Sequence, residues 1–111
     1  MIRYTTPTIT LEVEGIDLTD NEDVYVSFEQ GSRELTKSGN DLNISAETQG
    51  QTTISTIVVV LTQEETASFV EARNVAVQVN YINASGVRDA TGIVSVGVGR
   101  NLLDEVIEYG N

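Results

Sequence analysis

The side chains of this 111-residue sequence that could do chemistry are 17 carboxylates, 6 cations and a set of hydroxyls, because histidine and cysteine are both absent. That gap removes the commonest general base, the commonest transition-metal ligand and the histidine-activated serine and cysteine nucleophiles. It also excludes disulfides, thiolate-ligated zinc and iron–sulfur clusters. Carboxylates could still act in pairs on a glycosidic bond, but that chemistry needs an acid of raised pKa opposite an ionised partner, and no spacing here singles out such a pair. The acidic run from Asp17 to Asp23 offers oxygen ligands of the kind Ca²⁺ prefers. It lacks the glycine and terminal glutamate of an EF-hand loop in their places, so it reads as an acidic turn. Gly97-Val98-Gly99-Arg100-Asn101 has two glycines but no third, no P-loop lysine and no preceding βαβ unit, and it reads as the end of a strand. No catalytic, cofactor-binding or metal-binding residue is assigned, and a non-enzymatic protein without a cofactor is expected.

The formal charge of -11 repels phosphate backbones and anionic lipid surfaces, so neither nucleic acid nor membrane is an expected partner. The acidity is read as a solvated surface. Residues Met1 to Pro7 hold no apolar core of signal-peptide length, and no later stretch approaches a membrane span.

The elements that would position any site are mostly strands. Ile9, Leu11 and Val13 alternate with Thr8, Thr10 and Glu12, and Val24, Val26 and Phe28 alternate with Tyr25, Ser27 and Glu29. Gln30-Gly31-Ser32 turns the chain into a short return strand from Arg33 to Lys37. Leu42 and Ile44 mark another short strand, and both middle strands are expected at edges. Thr53 to Leu61 ends in Ile57-Val58-Val59-Val60-Leu61, apolar on both faces, as expected of a strand at the centre of a core. Thr62 and Glu65 form a capping box, which with Ala67, Phe69, Val70 and Ala72 predicts a helix of two to three turns. Val75, Val77, Val79 and Tyr81 then share one strand face, Asn83-Ala84-Ser85-Gly86 turns a hairpin, and Ala90 to Val98 returns. The pattern predicts one all-β domain over residues 1–99, an immunoglobulin-like Greek-key β-sandwich of about seven strands with one short crossover helix, and a small β-barrel is the alternative.

Residues 100–111 are set apart as a C-terminal tail or arm. Leu102, Leu103, Val106 and Ile107 follow the spacing of one helical face, opposed by Asp104, Glu105 and Glu108. Such a stripe is expected either to fold onto its own sandwich or to dock as an interaction arm on a neighbouring subunit, in a homo-oligomer or a larger assembly.

Four phrases carry a resemblance: Met1-Ile2-Arg3-Tyr4-Thr5-Thr6-Pro7-Thr8, Val24-Tyr25-Val26-Ser27-Phe28-Glu29-Gln30-Gly31, Leu61-Thr62-Gln63-Glu64-Glu65-Thr66 and Val87-Arg88-Asp89-Ala90-Thr91. With these the chain resembles the small structural proteins of tailed bacteriophages and prophages of Gram-positive bacteria. It is also similar to the N-terminal domain of phage baseplate upper proteins. The resemblance implies a sandwich module of a virion tail or baseplate, present in the host cytoplasm before assembly, with other tail proteins as partners. It does not extend to the further domains that bind a receptor-binding protein, so no host-recognition role is carried over. Arg88 and Asp89 are expected to form a local ion pair of little worth if exposed. The competing expectation, from a different class, is a ligand-binding sandwich that takes a carbohydrate or Ca²⁺; the scarcity of aromatics speaks against sugar stacking.

Overall fold

The computed structural model describes residues 1–19, 23–83 and 85–108. In chain order the elements are β1 (Thr8–Glu14), β2 (Val24–Gln30), β3 (Arg33–Ser38), a 3-10 turn (Gly39–Asp41), β4 (Leu42–Gln49), β5 (Thr52–Val60), α1 (Gln63–Ala67), β6 (Asn74–Ile82), β7 (Arg88–Ala90) and β8 (Val94–Gly97). They form two antiparallel sheets, β1-β5-β4 and β3-β2-β6 with β7 and β8 end to end along β6. The chain changes sheet between β1 and β2, between β3 and β4, and through α1 between β5 and β6. That is the Greek-key path of an immunoglobulin-like sandwich in which β1, β5 and β4 stand as strands B, E and D, and β3, β2, β6 and β7-β8 as C′, C, F and G.

Alternation decides what each strand buries. Val24, Val26 and Phe28 of β2 meet Val75, Val77, Val79 and Tyr81 of β6, and across the sandwich lie Val13, Ile57 and Val59, all in one buried cluster closed by Leu18, Leu61, Phe69 and Val98. Burying each of these apolar side chains contributes about 1.5–3 kcal/mol, and their Val-rich make-up suits a pleated surface. Two hairpins share one solution: β2-β3 and β4-β5 are joined by two residues, with Gly31 and Gly50 leading at φ 61° and 65°. A glycine at the first turn position supplies the positive φ that matches strand twist.

Four expectations change. The helix is a single turn rather than two to three, because the chain leaves it after Ala67 to bury Phe69 and then bends through Ala72 at φ 63°. β5 is central in its sheet but buries one face only; Val60 on the other is 53% exposed, because no layer covers that side. β4 runs eight residues, longer than Leu42 and Ile44 suggest. The last strand is two pieces, giving eight strands: pairs Asn80↔Ala90 and Val77↔Val94 differ in register by one residue, so Thr91-Gly92-Ile93 holds a β-bulge.

Candidate functional site

Three polar side chains hold loops where strand ladders cannot reach. Gln30 is buried at the end of β2, and its amide accepts from Val70 N–H at 2.7 Å and donates to Val70 O at 2.8 Å, as a neighbouring strand would. Ser55, fully buried, accepts from Leu18 N–H at 2.9 Å and donates to Ile16 O at 2.7 Å, which pins the loop after β1. The Thr62 hydroxyl accepts from Glu65 N–H while the Glu65 carboxylate accepts from Thr62 N–H, so the capping box is complete. Lys37 reaches the same carboxylate at 2.7 Å. Burial pushes Glu65 up, but Lys37 and the Thr62 donors outweigh it, and the group titrates below the ordinary value of 4.5.

The C-terminal segment is not the helix its spacing suggests; residues 101–108 are irregular and run past the N-terminal stretch. Ordinary side chains tether it. Arg3 donates to Asp104 at 3.0 Å, and its other nitrogens donate to Ala67 O and Phe69 O at 2.8 Å each, closing the end of α1. Asn101 donates to Arg3 O and accepts from Leu103 N–H. The Gln63 amide brackets Ile107, donating to its carbonyl at 3.0 Å and accepting from its N–H at 2.8 Å. Between these points the apolar groups stay in water: Leu102 is 87% exposed, Ile107 60%, and Leu103 and Val106 are also exposed. The four residues of the candidate arm are thus held beside the sandwich without being buried by it. Arg3 and Gln63, which hold it, carry no local signal in the sequence, because each acts on a partner far along the chain.

The other candidate features are dispersed. In the acidic loop, Asp17 accepts from the hydroxyl and N–H of Thr19, which lower its pKa; residues 20–22 lie outside the described residues. Among the described residues no three acidic groups converge on a point where a metal ion could sit, and no helix is long and apolar enough to cross a membrane. Gly97 ends β8 and Gly99 bridges Ile2, whose Cδ1 lies 2.5 Å from where a Cβ would be. Arg88 and Asp89 do not pair, since adjacent strand residues face opposite ways. Arg88 donates to Asn80 Oδ1, and Asp89 accepts from Tyr81 O–H at 3.5 Å. Burial first, and Asp89 second, push Tyr81 up. Arg88 also edges a shallow depression of about 290 Å³ with Tyr25, Ser27, Thr36 and Asn80 on the outer face of the larger sheet.

No protein family matches the sequence, and no curated protein is similar to it.

Proposed function

We propose that the protein is a non-enzymatic structural or assembly component of a bacteriophage or prophage tail or baseplate, working through protein–protein contacts. The observation that carries the contact reading is the C-terminal arm, whose Leu102 and Ile107 stay in water while polar side chains fix the backbone around them. Apolar side chains displayed on a fixed backbone lose little entropy on docking and gain the burial they lack in the free chain. The acidic surface keeps such a protein soluble until it is incorporated. The virion setting draws on the four resembling phrases. Mass spectrometry of tail particles purified from the strain that carries the gene tests it. The chain is expected at a fixed ratio to the major tail protein, and deleting its gene is expected to stop tail assembly. Complete, infectious tails without the chain would refute the reading.

A second reading, a ligand-binding sandwich, draws on the depression beside Tyr25 and Arg88, where an aromatic face adjoins a guanidinium, hydroxyls and an amide. Calorimetric titration with neutral and acidic sugars would show heat that Arg88→Ala abolishes; no heat removes the reading.

A further inference from the structure

Among the described residues, the smaller sheet is one strand short on the β1 side. β1 ends the three-stranded sheet, while the facing sheet continues past β6 to β7 and β8. The place of strand A in an immunoglobulin-like sandwich is therefore open. Beneath it runs a cavity of about 270 Å³ whose apolar lining comes from Leu11, Val77, Val79, Ile93 and Val94. Val94 pairs with buried Val77 and turns to the same face, yet it is 49% exposed, because nothing of the smaller sheet lies across from it.

The β1 edge also offers hydrogen bonds. Pro7 O accepts from Leu61 N–H and Gly15 N–H donates to Thr53 O, so the odd-numbered residues bond toward β5. Antiparallel alternation turns the N–H and C=O groups of Thr8, Thr10, Glu12 and Glu14 the other way, where no strand of the described residues adjoins. Both edges of the facing sheet are blunted: the bulge at 91–93 breaks the β7-β8 edge, and β3 carries Arg33, Glu34 and Lys37.

We infer that this edge is a docking site for an extended strand of another protein, one whose side chains alternate between apolar and basic. Its backbone would pair with Thr8 to Glu14, its apolar side chains would fill the cavity over Val94, and its basic ones would face Glu12 and Glu14 on the outer surface. Charge selects the partner. The arm of a second copy brings Asp104, Glu105 and Glu108 to an edge that is already acidic, on a chain of net charge -11, so self-pairing there is opposed. The site is separate from the arm and stands whether or not the chain belongs to a virion.

Amide NMR of the intact chain, titrated with a short blocked peptide in which valine alternates with lysine, tests the site. Shifts are expected at the amides of Thr8, Thr10, Glu12 and Glu14 at millimolar peptide. The peptide with glutamate for lysine should bind about fivefold more weakly, the worth of two exposed ion pairs. Thr10→Pro removes one outward N–H without touching the β5 ladder and is expected to weaken binding, as an edge strand tolerates proline there. Reversing the edge with Glu12→Lys and Glu14→Lys together should swap the preference between the peptides. Absence of shifts on β1, or equal binding of both peptides, overturns the inference.

Discussion

At the scale of single residues, the fold depends on polar side chains that take over backbone pairing. Gln30 serves both the N–H and the carbonyl of Val70, so Gln30→Leu leaves them unpaired at the end of the core. We expect it to cost about 1–3 kcal/mol, read as a fall in thermal midpoint of several degrees, whereas Gln51→Leu in the exposed β4-β5 turn should leave the midpoint nearly unchanged. Glu65 makes a pH-dependent contribution. Its pKa is lowered in the folded chain, so the stabilisation is present in full above the ordinary value of 4.5 and is lost as pH falls through the lower folded value. Wild type should therefore exceed Glu65→Gln in stability at neutral pH, and denaturant titrations should show that margin shrinking below 4.5. A margin that grows on acidification would show that Lys37 and Thr62 do not hold the carboxylate. Little of this was legible from sequence, because Gln30 and Val70, or Ser55 and Leu18, are distant along the chain and look like ordinary polar positions; the capping box was legible because both its members lie within one turn.

At the scale of elements, period-two alternation marks β1, β2 and β6, since each buries one face and the apolar residues show it, while β5 is marked by an apolar run. That run could not show that β5 has an open second face, because it looks alike whether one layer covers it or two. Nor could alternation place the bulge, which changes register without changing composition. The tail departs from a helix for a related reason: the spacing of Leu102, Leu103, Val106 and Ile107 fits a helical face, but an isolated helix of that length is marginal in water, and hydrogen bonds to Gln63 and Asn101 hold another path. Arg3 couples two elements, closing α1 through Ala67 O and Phe69 O and holding the tail through Asp104. Arg3→Ala is expected to lower stability by about 1–3 kcal/mol and to speed amide exchange at Leu103 and Ile107. Asp104→Asn should change stability by no more than about 0.5 kcal/mol, since it loses only an exposed ion pair. Equal losses for both variants would mean that the tail, not α1, is what Arg3 supports.

At the scale of the whole molecule, a compact chain of charge -11 repels itself. Raising salt screens exposed charges more than about 8–10 Å apart, so the thermal midpoint should rise between low and moderate ionic strength; a fall would mean that ion pairs such as Lys37–Glu65 outweigh the repulsion. The same charge keeps copies apart until an apolar contact offsets it, and the arm displays four such groups on a held backbone. The most direct test is to replace Leu102 and Ile107 with serine, confirm by calorimetry that the variant melts as wild type does, and quantify it in purified tail particles by mass spectrometry. The folded variant is expected to be missing from the particles or strongly depleted. Incorporation at the wild-type ratio would show that the arm does not carry the protein into the tail.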